Sequence, residues 1–412
     1  MYIRKSVIEK IILLFFFMMV NEFFFLTDNK LSGVPFAREF FLVILVAVFL
    51  WLAVLNRCWI GVKEEYFVVL YVIGWIVVSP ILAWLFHGQP FYFGVLEERR
   101  VILYLVFFPV FYILLYSRVS LSILGNYIVL GFFFSSLVGW FYYFGLISPR
   151  VDLSFKVDGK SYNDVYEMYE GFRGGRFRIA TAFIVWVFVY SLLNFRKNGR
   201  YLWAAIIFYC ALYVWFVIQT RTLMATMFIS ALFVFRKRID RIFSVFIAVV
   251  PLVFVVFLIY PDVFQSELDK LLLLYEDAVE HSGPRTREIT IGIIIDEILK
   301  NPVGYGALSL QWKDGFLPIY NDNFYLSDVG IFGVFYRFGF FSLVVIGIYY
   351  YVYLSRAVAL RKSENALVLT ACYVVVIESF DLIFSSSMAM GGGVFGVALA
   401  VMAFKYYGFD NK

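Results

Sequence analysis

The sequence predicts an all-α, polytopic integral membrane protein with about twelve transmembrane helices, and three observations carry that prediction. Of 412 residues, 63% are hydrophobic and only 16% charged, a balance outside that of water-soluble domains. The apolar residues gather in runs of span length. The basic residues cluster in alternate short connections between those runs.

The runs lie at 7–26, 36–55, 67–86, 101–116 and 121–146, then at 179–195, 201–218, 222–235, 242–260, 338–354, 366–384 and 391–404. The first has full span length and no small-residue cleavage site, so it is expected to remain as a span. Residues 201–235 read as one apolar stretch with Arg221 as its only charge. A single helix of that length would be ~52 Å long against roughly 30 Å of hydrocarbon, so the stretch must be two spans broken near QTRT. That break puts Arg221 at a membrane face.

Orientation follows from the basic clusters. With Arg4 and Lys5 inside, alternate connections carry Arg57 and Lys63, Arg118, Arg196 to Arg200, Arg236 to Arg241, and Arg356 to Lys362. All fall on one side, and an even number of spans returns Lys405 and Lys412 to it. Both termini are therefore expected in the cytoplasm, with the chain, 1–412, forming a single membrane domain. The formal charge of +5 does not call for a nucleic-acid partner; membrane lipids are the expected surroundings.

Two long loops then lie outside, at 147–178 and 261–326. The first contains the turn Val157-Asp158-Gly159-Lys160. The second reads as short amphipathic helices at 267–279 and 286–299, followed by the NPVGYG turn. The three cysteines fall outside these loops in positions without metal-ligand spacing, and His87 and His281 are the only histidines. No dinucleotide fingerprint, phosphate loop or zinc-protease motif occurs, so neither cofactor nor metal is expected.

Arginine marks the outer side instead. Arg173, Arg176 and Arg178 lie in EGFRGGRFR, Arg221 in QTRT, Arg285 and Arg287 in HSGPRTREI, and Arg337 in FYRFG. A guanidinium fork matches pairs of phosphate oxygens, so arginines converging at a membrane face suit a lipid phosphate or pyrophosphate. The bland account is equally physical, because an interfacial arginine commonly snorkels or pairs with a carboxylate such as Glu170, Asp277, Glu280 or Glu288. Glu22, Glu378 and Asp381 are interfacial by the same account unless they face a central cavity. Among so many aromatic residues, no single Tyr or Trp can be chosen as a ligand-stacking platform.

Four stretches together resemble the O-antigen polymerase and O-antigen ligase superfamily of GT-C-class glycosyltransferases: QTRTLMATM, PRTREITIGIIIDEILKNPVGYG, NDNFYLSDVGIFGVFYRFG and the EGFRGGRFR loop. The resemblance covers 173–339 and rests on loose motifs in a characteristic order. Ligases of that family carry a histidine in the segment corresponding to NDNFYL, where this chain has Asn321, Asp322 and Asn323, which favours the polymerase. The resemblance implies metal-independent transfer of a growing glycan from undecaprenyl pyrophosphate to a new lipid-linked repeat unit on the periplasmic face. It implies a clamp of Arg221 with Arg285 or Arg287 and Arg176, and a base at Asp322, with Glu170 and His281 behind it. Partners implied are the lipid-linked donor and acceptor and a chain-length regulator protein. The alternatives are an O-antigen ligase and a lipid-linked oligosaccharide flippase or other transporter. The absence of an evident half-to-half repeat weighs against a transporter.

Overall fold

The computed structural model describes residues 5–27, 37–55, 60–117, 119–147, 155–157, 160–162, 166–167, 176–235, 283–309, 311–313, 315–316, 318–320, 324, 326, 329–384, 388 and 391–409. The fold is helical, with two short antiparallel ladders in the first long loop. The helices are α1 (Lys5–Val20), α2 (Ala37–Val54), α3 (Lys63–His87), α4 (Phe91–Tyr116), α5 (Leu121–Tyr143), α6 (Ile184–Asn198), α7 (Tyr201–Ile218), α8 (Arg221–Phe235), α9 (Gly283–Lys300), α10 (Ile331–Leu360), α11 (Ala366–Phe384) and α12 (Gly392–Tyr406). Among the described residues, seven are long and apolar enough to cross a membrane: α2, α3, α4, α5, α7, α10 and α11. Shorter apolar helices lie at Lys10–Val20, Thr222–Phe235 and Gly392–Tyr406. This is the architecture of a multi-pass membrane protein. The expected span at 242–260 and the expected helix at 267–279 lie outside the described residues.

Burial sorts the helices. Gly392 to Phe404 of α12 and Ile184 to Leu193 of α6 are buried on every side, as an apolar helix in the middle of a bundle should be. The outer helices keep large apolar side chains exposed, including Phe40, Val43, Leu50 and Trp51 of α2, which suits lipid contact. Helix α12 lies tight on α4 because Gly392 and Gly396, four residues apart, bring it against the backbone of Tyr104 and Phe107. Around this contact Tyr71, Tyr104, Tyr349 and Tyr353 are buried together. The Tyr71 and Tyr104 hydroxyls both donate to the Met388 carbonyl, at 3.2 and 2.7 Å.

Local chemistry sets the ends. Glu65 takes the exposed N–H groups of Ile60 and Gly61 at 3.0 Å at the start of α3. Asn365 accepts from the Leu367 and Val368 amides at 2.9 and 3.3 Å, starting α11. Gly199, at φ 63°, closes α6 in the left-handed conformation. Among the described helices, α3 is a π-helix over Gly74–Val78 and α7 over Val214–Ile218, while α4 tightens to a 3-10 helix over Arg99–Val106.

Two boundaries depart from the sequence reading, and the first long loop adds short strands. Helix α4 begins at Phe91 rather than near Val101, so LEERR, 96–100, lies within a helix and not in a loop. Helix α10 begins at Ile331 and is interrupted by Gly339–Phe341. Arg337 is thus ~9 Å along its helix instead of the ~16 Å expected for a start near Leu326. The first long loop carries strands β1 (Phe155–Val157) and β2 (Lys160–Tyr162), then β3 (Tyr166–Glu167) and β4 (Arg176–Phe177). Val157 pairs with Lys160 across the expected Asp-Gly turn.

Candidate active site

Two ion pairs mark the opposite ends of the bundle. At the end with the basic connections, Arg356 binds Glu64, Tyr407 donates to Glu64 at 3.1 Å, and the guanidinium lies 3.9 Å from the Tyr406 ring centre. At the other end, Arg337 Nε donates to Glu98 Oε1 at 2.7 Å, and Ser79 Oγ donates to the same oxygen at 2.9 Å. Both charged side chains are buried, and Arg337 Nη1 also donates to the Gly333 carbonyl at 3.0 Å. Ser79 directly follows the π-helical turn of α3, which brings it to Glu98.

The NPVGYG turn docks on this pair. The Tyr305 and Gly306 amides donate to the Tyr336 and Arg337 carbonyls at 2.9 and 3.0 Å, and the Phe340 amide donates to the Pro302 carbonyl at 2.9 Å. Such an approach leaves no room for a Cβ. At Gly304 it would meet Arg337 and Gly339, at Gly306 the backbone of Ser79 and Ala83, and at Gly339 the Pro302 carbonyl. Gln89 holds the next turn, donating to the Ala307 carbonyl at 3.2 Å and accepting from the Ser309 amide at 2.7 Å. In this way α9, which carries PRTREI, is fixed against the Arg337 half-helix.

Outside the spans, α9 is held by Glu297. Lys300 Nζ lies 2.7 Å from its carboxylate, and the Tyr305 and Tyr320 hydroxyls act on it. Burial alone would raise the Glu297 pKa, but these donors outweigh it and hold the carboxyl below its ordinary value. Burial and the adjacent carboxylate push the Tyr305 phenol up to about 12. The tyrosine rings themselves are packed by neighbours: Tyr305 against Tyr336 at 5.5 Å and His87 at 5.6 Å, and Tyr320 against Phe324 at 4.4 Å.

A second junction lies beside the first. Strand β4 packs against Val214–Ile218, which leads directly into QTRT, so the end of EGFRGGRFR and the QTRT turn are neighbours. Three non-glycine residues in this region adopt left-handed backbone: Glu22 (φ 68°), Ala180 (φ 56°) and Gln219 (φ 52°). Such conformations are sparsely populated and gather where function constrains the chain. Thr181 Oγ1 donates to Glu22 Oε2 at 3.4 Å, and the Arg100 and Arg38 charges act on that carboxylate.

The helical turn Glu97 to Arg100 joins the two junctions. Glu98 faces Arg337, Arg99 pairs with Glu39 at 3.3 Å, and Arg100 acts on Glu22. Sequence reasoning missed this turn because the apolar run that suggests a span begins only after it. The usable signal was the adjacency of two carboxylates and two guanidiniums beside an apolar stretch, which allows internal neutralisation within a helix.

The expected site residues are distributed as follows. Arg337 is buried and bound to Glu98; Arg178 and Arg287 are exposed. Arg221 is the first residue of α8, Arg285 lies in the first turn of α9, and Arg176 stands opposite Glu167 in the backbone register of β3 and β4. Glu170, Arg173, His281 and Asp322 lie outside the described residues. Glu22 joins the site, and Glu378 and Asp381 act on each other on α11. Among the described residues no group of three or more His, Cys, Asp or Glu could hold a metal ion. Compared with family models, curated proteins and solved structures, the chain matches none.

Proposed function

We propose that this protein is a membrane glycosyltransferase that polymerises undecaprenyl-pyrophosphate-linked oligosaccharide repeat units into O-antigen or a related surface polysaccharide. In this reading a GT-C-like body of twelve spans lies in the bacterial inner membrane with both termini in the cytoplasm. The Glu98 end of the bundle faces the periplasm. The growing chain is passed from its carrier to a new lipid-linked unit.

One observation supports the reading most: the described parts of the stretches that resemble the polymerase and ligase superfamily pack together in two pairs. PRTREI through NPVGYG is packed on the Arg337 half-helix, and the end of EGFRGGRFR is packed beside QTRT. Departure of undecaprenyl pyrophosphate develops negative charge, and fixed guanidiniums stabilise that charge without reorganising. Arg221, Arg285, Arg287 and Arg176 form the clamp in this proposal, while Arg337 holds the scaffold through Glu98. The acceptor hydroxyl needs a base, for which Asp322, Glu170 and His281 are the loop candidates. A chain-length regulator is the proposed protein partner.

The test is the size profile of the surface glycan on a gel from cells lacking the gene and from the same cells complemented. Single repeat units in the deletion and a restored ladder on complementation are expected. A lipid-linked oligosaccharide flippase is the second reading, favoured by the interruption of α10 at Gly339 and the π-helical turns in α3 and α7. Loss of all repeat units from the surface in the deletion strain would select the flippase, or a ligase, over the polymerase.

A further inference from the structure

In the turn that joins the two halves of the site, all four charged side chains interact with charges from other helices. Glu98 binds Arg337 and Ser79, Arg99 binds Glu39, and Arg100 acts on Glu22. Glu97 differs from them. Its side chain is accessible, and it lies ~9 Å along α4 from Phe91. The charges of Glu98, Arg337, Arg99 and Arg100 bear on it, while no hydrogen bond to a described residue holds its carboxylate. It sits three residues from the buried Gly94 and three from Arg100, so it borders the packed side of α4 and shares a face with Arg100. A carboxylate kept accessible within a span is expensive unless it serves a polar cavity.

We propose that Glu97 is the catalytic base of the glycosyl transfer, an assignment that rests on the polymerase reading. Its carboxylate takes the proton of the acceptor hydroxyl. That oxygen's electron pair forms the new bond to the anomeric carbon of the growing chain. The bond from that carbon to the pyrophosphate oxygen breaks, and undecaprenyl pyrophosphate leaves with the electron pair. Negative charge thereby moves from Glu97 to the leaving pyrophosphate, and the total charge amid the arginines is unchanged. A field of fixed cations then serves the start and the end of the step.

The experiment complements the deletion strain with wild type, Glu97→Gln, Glu97→Ala, Glu97→Asp and Asp322→Asn, and reads the glycan ladder and the protein level in the membrane. Glu97→Gln keeps the shape of the side chain and is expected at wild-type level with polymer reduced on the order of 10²-fold. Glu97→Asp is expected to retain part of the ladder. Sodium formate added to membranes holding Glu97→Ala should raise polymer formation several-fold by supplying a small carboxylate, and should not raise that of Glu97→Gln, where the amide fills the space. A full ladder from Glu97→Gln, or Glu97→Ala that formate leaves unchanged, overturns the assignment. Asp322→Asn is expected to keep the ladder, and its loss there while Glu97→Gln retains polymer overturns the assignment as well. If wild type itself restores no ladder, the polymerase reading fails and the base assignment falls with it.

Discussion

At the residue scale, the buried pair of Glu98 and Arg337 is held by geometry on both sides. Its two charges are shielded from solvent, and each has a further hydrogen-bond partner. Removing one partner leaves the other buried and uncompensated, which costs about 3–5 kcal/mol. Glu98→Gln and Arg337→Met should therefore each lower the thermal stability of the purified protein in detergent. The double variant should lie closer to wild type than the sum of the two, and additive losses would show that the charges do not act as a pair. The clamp carries a different expectation. Arg221→Ala and Arg285→Ala should abolish polymer while the protein remains in the membrane at normal level, as read on the glycan gel and by immunoblot; full-length polymer from either removes that residue from the clamp.

At the element scale, the junction between the NPVGYG turn and α10 depends on glycine where two backbones touch. Gly339 has φ 54°, and a Cβ there would strike the Pro302 carbonyl. Gly347, in the same helix, has open space around it. Gly339→Ala is expected to separate α9 from the Arg337 half-helix and eliminate the polymer ladder, whereas Gly347→Ala should keep both ladder and protein level. The Glu297 contacts of α9 give a pH expectation. The Glu297 carboxyl is held below its ordinary value of 4.5, so its stabilising contribution is complete above pH 4.5 and is lost as the pH falls through the depressed value. Hydrogen exchange in α9 should accelerate below that pH, and Glu297→Gln should remove the pH dependence while leaving exchange in α12 unchanged.

At the scale of the whole molecule, the pattern of basic connections and the two ion pairs give the bundle distinct ends. The polymerase reading places the Glu98 end outside. Among the cysteines, Cys58 falls in a basic connection, and Cys210 and Cys372 are buried, so an impermeant thiol reagent added to whole cells should leave the natural chain unlabelled. Ser161→Cys, in the hairpin of the first long loop, should be labelled from outside, and Ser363→Cys, between α10 and α11, should not. Labelling in the reverse pattern would invert the orientation and remove the periplasmic site.

The sequence by itself determined the helical membrane architecture, because a run of apolar side chains long enough to cross hydrocarbon needs no knowledge of its neighbours. It also supplied the Asp-Gly turn of the first hairpin, the break at QTRT and the helix before NPVGYG, each set by local backbone chemistry. Only the tertiary structure decided which charges meet. Glu98 and Arg337 are 239 residues apart, and LEERR could be read as a solvated loop until Arg337, Ser79, Glu39 and Glu22 were seen around it. The same is true of the glycines at 304, 306 and 339, whose common purpose is the close contact of two distant segments. Period and composition report how one segment meets its solvent; pairing and close approach are properties of two segments together, and the fold alone brings them into contact.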